Sequence, residues 1–530
     1  MNVFDRMVAV ISPQTGLKRA SARKQLQVLN QGYGNHGAST KKKSLLGWLA
    51  GSGSALEDIE YNVDKLRGRS RDLYMGVPLA TGALKTMRTN VIGSGLKLNA
   101  QIDYEYLNLT TDQADLWETQ VEREFSLWAE SLHCDAQRMN NFYELQQLAF
   151  LSWLASGDVF ALLPVIPRVG MPYDLRVKLI EADRICTPNK QLLNLDHKIV
   201  NGVEVSPLGE ISAYHIAKNH PHSLSVQNNE WSRIPKFGAK TGRPNIIHLM
   251  ESERPEQRRG VPILAPVMES LKQLSRYTEA ELMAAVISGM YTVFVTTETN
   301  QKGDEFGSGI ADQDLIDEED DTSLELGNGS VHFLGENEKI QESNPGRPNV
   351  AFDGFVTSIC RQIGAALEIP YELLLKNFTS SYSASRGALL EAWKMFRMRR
   401  DWMANDFCQP IYEEFLAEGI AKGRIYAPGF FTDPLARKAY SNAEWNGPSQ
   451  GQLDPLKEVN AAEKRVNNGF TTRTRETIEL TSGDFFKNHA LRVREEKARR
   501  EGGLTTEGTS INLDKSSEKG SKDEKEEVEE

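Results

Sequence analysis

Residues 262–288 read Pro-Ile-Leu-Ala-Pro-Val-Met-Glu-Ser-Leu-Lys-Gln-Leu-Ser-Arg-Tyr-Thr-Glu-Ala-Glu-Leu-Met-Ala-Ala-Val-Ile-Ser. The apolar positions Leu264, Val267, Met268, Leu271, Leu274, Tyr277, Leu282, Ala285 and Val286 keep helical spacing for about seven turns at 3.6 residues per turn, so one long amphipathic helix is expected. Beyond it come a strand at 291–296, an acidic run and a Gly/Asn-rich strand pair around 331–334. A second helix over about 350–367 then returns, closed by the breaker Glu368-Ile369-Pro370. Out by a helix, a small β insertion, back by a helix: this is the pattern of a stalk carrying a knob. A helical hairpin packed inside a globule has the same periodicity and stays open at this level.

Upstream, residues 1–60 mix a basic patch (Lys18, Arg19, Arg23, Lys24), a Gly/Ser/Asn-rich stretch and the triplet Lys41, Lys42, Lys43, and read as a mobile arm. Helical text starts at Asp64 with Pro78 as a break, and ends at Gly93-Ser-Gly95 before a strand at 96–100. Trp117, Val121, Phe125 and Trp128 stripe one helix, residues 142–155 make another, and 159–166 reads as a buried strand. Short strands follow at 176–179, 211–217 and 246–250. Downstream of the stalk, the polar segment 377–385 precedes a long helix over about 386–417. Helical stretches at 456–468, 474–480 and 484–500 close the folded part. The fold class is therefore α+β.

The chain has 530 residues, 39% hydrophobic and 25% charged, enough for several domains and neither fibrous nor wholly disordered. Cys134, Cys186, Cys360 and Cys408 lie far apart without a C-x-x-C pair, so neither a disulfide framework nor a cysteine zinc site is expected. The first residues do not form a secretory signal, and the longest apolar stretch, 148–166, is interrupted by Gly157, Asp158 and Pro164; a soluble protein without a membrane partner is expected. Of the net charge of −11, the last thirty residues carry −6, from ten acids and four lysines. A disordered acidic tail at 501–530 follows from that composition. The second acidic run, 304–325, holds ten acids and no Lys or Arg; it reads as a solvated or protein-docking surface, because it lacks the D-x-D-x-D-G spacing that wraps calcium.

Enzymatic signatures are missing. No G-x-x-x-x-G-K-[ST] holds phosphates, no H-E-x-x-H holds zinc, and no G-x-S-x-G elbow is present. His220 and His222 sit in a loop-like Asn-His-Pro-His stretch and read as surface residues rather than ligands. No catalytic residue, metal site or cofactor is therefore assigned. A chain of this size with long helices and no catalytic constellation points to an assembly component. Two other classes stay in view: a DNA-packaging enzyme subunit (nuclease or ATPase), and a DNA-binding adaptor that would use the basic arm at 18–43.

Several segments, in order, resemble the lambda-type phage portal proteins. Arg69-Ser-Arg-Asp-Leu73 with Pro78 and Val91-Ile-Gly-Ser-Gly-Leu96 is similar to that family's N-terminal pattern, with Gly47-Trp48 as its lead-in. Glu256-Gln-Arg-Arg-Gly-Val-Pro262 resembles the entry to its stem. Arg361-Gln-Ile-Gly-Ala-Ala-Leu367, Pro370-Tyr-Glu-Leu-Leu374, Ser380-Ser-Tyr-Ser-Ala-Ser-Arg386 and Leu389-Leu-Glu391 look like its most distinctive block. Trp445-Asn-Gly-Pro448 and Asp454-Pro-Leu-Lys-Glu458 resemble its C-terminal signature. Met75-Gly76-Val77 and Ala384 depart from the usual pattern at positions without a chemical role.

The resemblance implies a portal fold with an α+β wing, a long-helix stem, a small β-containing clip and a helical crown, assembled as a homo-oligomeric ring, typically of twelve subunits. On that plan 1–60 is a flexible N-terminal arm, 61–261 the first part of the wing, 262–289 a stem helix, 290–349 the clip and 350–368 the second stem helix. Residues 369–435 become the tunnel loop and long wing helix, 436–500 the crown, and 501–530 the acidic tail. Asn377, Phe378, Thr379, Ser380, Ser381, Tyr382 and Ser383 become the candidate tunnel loop facing double-stranded DNA. Asp317, Glu318, Glu319, Asp320 and Asp321 in the clip become the candidate docking site for the large terminase subunit and later the head-tail adaptor. The major capsid protein is a further implied partner. The place implied is a capsid vertex of the virion, reached from the host cytoplasm during assembly.

Overall fold

The computed structural model describes residues 10, 12–15, 17–19, 21–22, 42–45, 47–48, 51–188, 198–223, 229–289, 293–297, 338–342, 351–378, 381–451 and 454–504. The expected acidic tail beyond residue 504, the acidic run 304–325 and the strand pair at 331–334 lie outside them, as does most of the N-terminal arm. The chain divides into two units, Met1–Asp58 and Ile59–Glu530. In the first, a short turn of helix spans Lys43–Leu45. The second holds the hydrophobic core and the helices and strands packed on it.

Helix α1, Val63–Gly76, and helix α2, Pro78–Val91, are separated because Val77 before the proline is held extended (φ −112°, ψ 110°), while Pro78 opens the next helix without losing a hydrogen bond. Strand β1 is Lys97–Ala100. Helices α3, Thr111–Ala129, and α4, Phe142–Ser156, each start with a reciprocal capping box, Thr110 with Gln113 and Asn141 with Glu144. Gly157, at φ 89°, stops α4. Strand β2 follows at Asp158–Leu162, shorter than the expected 159–166 because Pro164 cannot donate to a ladder.

Strands β3 Lys178–Ile180, β4 Lys198–Val200, β5 Val203–Val205, β6 Ile211–Ala217, β7 Trp231–Pro235 and β8 Ile246–Met250 complete two antiparallel sheets, ordered β3-β2-β8 and β4-β5-β6-β7. They share a small core of Phe160, Ile180, Val203, Tyr214, Ile216 and Ile246.

The long helix expected over 262–288 starts later, at Met268, after a tight turn at Ala265–Val267; it runs as α5 to Gly289. Pro266 accounts for the delay. Strands β9 Val293–Thr297 and β10 Glu338–Glu342 pair antiparallel, from Thr297 opposite Glu338 to Val293 opposite Glu342. The returning helix α6 is Phe352–Ala366, and a single-turn helix α7, Tyr371–Leu374, follows Pro370.

Helix α8, Tyr382–Met403, begins four residues earlier than expected because the Ser381 hydroxyl accepts from Ala384 N and caps it. A wide turn at Ala404–Cys408 carries it into α9, Gln409–Ala421, so the single expected helix is two joined ones. Helix α10 Pro434–Ser441, strand β11 Ala443–Asn446, and helices α11 Pro455–Asn467, α12 Arg473–Thr481 and α13 Phe485–Glu501 end the described chain. Strand β11 pairs antiparallel with β1, joining residues more than three hundred positions apart.

Within the main core lies an aromatic cluster. Phe125 of α3 meets Phe142, Tyr412, Phe415 and Trp445 edge-to-face at 5.2–5.9 Å. The Trp117, Val121, Phe125, Trp128 stripe is therefore the face that binds α3 to α4, α9 and β11. No helix among the described residues is long and apolar enough to cross a membrane.

Candidate functional site

The segments singled out in the sequence converge on one buried carboxylate. Asp158 opens β2 directly after Gly157, so its side chain is delivered inward at the end of α4. Arg259, two residues before the Val261-Pro262 exit to α5, donates from Nε to Asp158 Oδ2 at 2.6 Å and from Nη2 to Oδ1 at 3.3 Å. Arg67 of α1 donates from Nη2 to Oδ1 at 3.2 Å, and Gly260 N to Oδ2 at 3.2 Å. His248 of β8 places Nε2 3.5 Å from Oδ2.

Burial opposes ionisation of Asp158, but the Arg259 and Arg67 guanidiniums outweigh it and hold the carboxyl far below the usual carboxylate range. Burial likewise pushes the His248 imidazole down, so it is neutral at pH 7. Each arginine has further acceptors. Arg259 bonds the carbonyls of Ala182, Ile185 and Asn201 at 2.7–2.8 Å, and Arg67 Nε bonds Ser156 O at 3.1 Å.

The backbone is as tightly specified as the charges. A Cβ on Gly260 would collide with Gly157 O, and one on Gly157 with Gly260 O, so two bare backbones pass where no side chain fits. Ile263 N donates to Leu154 O at 3.0 Å, and Arg258 N to Glu60 Oε1 at 2.7 Å. The chain leaving for α5 is thus pinned to α1, α4 and β2 together. The sequence singled out the 69–73 and 256–262 stretches, of which Arg259 and Gly260 reach the centre, but neither Arg67 nor a role for Asp158; an acid directly after a helix-stopping glycine was its signal.

Beyond this anchor, α5 and α6 run as a pair. Leu271, Leu274, Cys360 and Ile363 are buried near their base, and Tyr277 contacts Phe352 at 5.6 Å and Phe355 at 5.0 Å. Farther along, Leu282, Met283, Val286 and Phe355 are exposed, so the helical stripe outruns what the described residues cover. An amphipathic helix whose apolar residues stay wet needs a further surface against it.

The candidate loop residues occupy the connection from α7 to α8. Lys376 is left-handed (φ 55°), Asn377 N closes the turn on Glu372 O at 3.0 Å, and Asn377 and Phe378 are exposed. Phe378 is 49% exposed. Thr379 and Ser380 lie outside the described residues. Ser381 caps α8, Tyr382 is its first residue, and Ser383 is exposed on its first turn. The clip acids Asp317, Glu318, Glu319, Asp320 and Asp321 lie outside the described residues.

The cations of α8 are tied inside the chain. Lys394 pairs with Glu391 at 2.6 Å, Arg397 with Glu479 at 3.8 Å, and Arg399 with Glu368 at 3.5 Å. Arg400 donates to the carbonyls of Asn90, Val91 and Pro448 at 2.9–3.1 Å.

As for metals, Glu181, Asp183 and His220 bring ligand atoms within 4.8 Å of one another. Arg71, however, pairs with Glu181 at 3.2 Å and with Asp183 at 2.5 Å, so a guanidinium already bridges the two acids and offsets one of their two charges.

Set against known proteins, residues 41–400 match the family described as "Phage portal protein, lambda family". The chain is 24% identical over 477 residues to the portal protein of Escherichia phage N15, covering 87% of this chain and 89% of that protein. It is 24% identical over 460 residues to portal protein B of Escherichia phage lambda, covering 84% and 85%. Among solved structures, a chain from the neck of a native gene transfer agent particle, computed with C12 symmetry, is 12% identical with a TM-score of 0.40, over 79% of this chain and 93% of that one.

Proposed function

We infer that this chain, which belongs to the lambda family of phage portal proteins, is the portal of a phage particle: copies close side by side, typically twelve to a ring, at one capsid vertex, and DNA is packaged and later ejected through the hole. The observation that carries this reading is the helix pair α5 and α6, which is anchored at Asp158 and leaves Leu282, Met283, Val286 and Phe355 uncovered. Neighbouring copies supply the missing surface. The role is structural rather than enzymatic.

Within the ring, 262–289 and 350–368 form the stem, 290–349 the clip, 61–261 with 369–435 the wing and tunnel loop, and 436–500 the crown. Residues 377–383 face double-stranded DNA. A conduit must let its cargo slide, and every phosphate neutralised by Lys or Arg strengthens attachment through counterion release, with a salt slope of roughly −0.9 per contact. The bound state of Lys394, Arg397, Arg399 and Arg400 supports low friction, since these cations are occupied by Glu391, Glu479, Glu368 and backbone carbonyls.

The acids Asp317 to Asp321, repeated around a ring, would steer a basic surface of the large terminase subunit and then of the head-tail adaptor. The major capsid protein surrounds the wing, and the ring is assembled in the host cytoplasm before it resides in the virion. Negative-stain imaging of the purified chain tests the reading: rings with a central hole are expected, and a lone globule overturns it. Nucleotide turnover or metal-dependent cleavage would favour a packaging enzyme, and tight duplex binding by monomers an adaptor.

A further inference from the structure

Residues 103–120 and 424–440 are joined by hydrogen bonds along a seam. Trp117 Nε1 donates to Tyr426 O at 2.9 Å, Gln120 Nε2 to Arg424 O at 3.2 Å, Tyr106 Oη to Asp433 Oδ2 at 2.7 Å, and Asp103 N to Ala439 O at 3.1 Å. Beneath, Trp117 packs on Tyr440 at 5.2 Å, so this seam is rigid. The two joined segments carry large apolar side chains that are exposed: Tyr426 is 81% exposed, Leu116 73%, and Phe431 and Leu435 63% each, and Tyr104 and Tyr106 are exposed as well. Apolar patches of more than a few hundred Å² are uncommon on monomers and mark contact surfaces.

The rim is acidic. From residue 98 to residue 122 the sequence has six acids and no Lys or Arg, and Asp103, Glu105, Asp112 and Asp115 are exposed there. The cations on the opposite side are mostly engaged: Arg424 makes a two-pronged contact with Glu124 at 2.7 and 2.9 Å, and Arg437 lies over Phe430 while reaching Glu413 at 3.9 Å. Lys438 stands exposed on the same helix as Arg437 and leaves the rim acidic.

We propose that this strip docks a segment of another protein that presents apolar side chains flanked by lysine or arginine. Rigid aromatic and leucine side chains supply the buried contact, and the acids select the sign of the partner and speed its approach. Nucleic acid and anionic lipid bring phosphates and are repelled. A two-fold contact of strip with strip would set acids against acids, whereas a head-to-tail neighbour in a ring would meet it with a different patch, an outcome that the assembly mass of the triple variant reads. The inference goes beyond the portal reading and stands whether or not rings form.

Two helical peptides of the same pattern, one of leucine and lysine and one of leucine and glutamate, test it against the full-length protein by fluorescence anisotropy at low salt. The leucine/lysine peptide is expected to bind, with affinity falling about tenfold in Tyr426→Ser/Phe431→Ser/Leu435→Ser. In Asp112→Asn/Asp115→Asn its binding should depend less steeply on salt. The leucine/glutamate peptide should not bind. Circular dichroism verifies that the variants are folded, which is expected since every substituted side chain is exposed. Equal binding by the triple variant overturns the proposal, because the peptide then sits on some other acidic surface. Equal binding of both peptides overturns it as well. So does a change in assembly mass caused by the triple variant alone, which would make the strip a contact between copies.

Discussion

Replacing Asp158 with asparagine keeps the shape at the root of α5 but removes the charge that two buried guanidiniums share. Removing one partner of a buried ion pair costs about 3–5 kcal/mol, because the remaining charge stays out of water. Here the loss falls toward the lower end: Arg259 keeps the carbonyls of Ala182, Ile185 and Asn201, and Arg67 keeps Ser156 O. About 3 kcal/mol is expected, read as a lower urea midpoint with unchanged slope for the transition that unfolds the Ile59–Glu530 unit. The pH dependence carries a sign. The folded carboxyl is held below its unfolded value of about 3.9, so its contribution is full above that value and fades as pH falls through it. His248, whose imidazole is also held down, acts in the same direction at higher pH, since charging it in the folded state is opposed. Asp158→Asn should therefore be less stable than the parent at pH 7, and the gap should narrow below about pH 4. A loss under about 1 kcal/mol, or a gap independent of pH, would refute the view that this carboxylate braces the exit.

Neutralising Asp317 to Asp321 as amides should weaken docking of the large terminase subunit in a binding assay, with the difference shrinking as salt rises; an unchanged affinity at low salt counts against the clip assignment. Arginine at Ser381 and Ser383 should slow DNA translocation and make its rate more salt-dependent, because each added phosphate contact steepens the salt slope by roughly 0.9; an unaltered packaging rate would move the tunnel loop elsewhere. Burial raises the Glu118 carboxyl to about 7, against a weaker pull from its bond to Ile102 N. That contribution is full below about pH 4.5 and lost as pH rises through 7, so Glu118→Gln should flatten the decline in stability between those limits, measured by thermal melts across pH.

Periodicity was enough for the rods and the sheet edges: strands β6 and β8 occupy the residues expected, α4 and α6 differ from expectation by one or two residues at an end, and α3 carries the expected stripe. It failed where a local bond overrode the pattern. The Ser381 hydroxyl starts α8 inside what composition marks as a loop, and Pro266 delays α5 within an unbroken apolar stripe. The pairing of β1 with β11 was not legible, since no local signal links strands so far apart. Nor was the Asp158 centre, whose members come from α1, β2, β8 and the 257–262 stretch; the acid stands out inside an apolar stretch, but nothing local links it to Arg67 or Arg259.

The placement of charge also argues for what the chain does with DNA. Arg67 and Arg259, the two most conspicuous arginines of the exit, are buried on Asp158, and those of α8 are spent on acids and carbonyls. A protein built to grip a duplex would leave such groups free beside aromatics that stack on bases. Here they fix the direction in which α5 leaves the body. A buried charge network is a poor source of stability compared with apolar packing, but it tolerates few alternative geometries. An error of about ten degrees at the root of α5, whose 22 residues extend about 33 Å at about 1.5 Å per residue, displaces its far end by about 6 Å. In the proposed ring, that would be enough to separate neighbouring helices, so the exit is where rigidity would matter most.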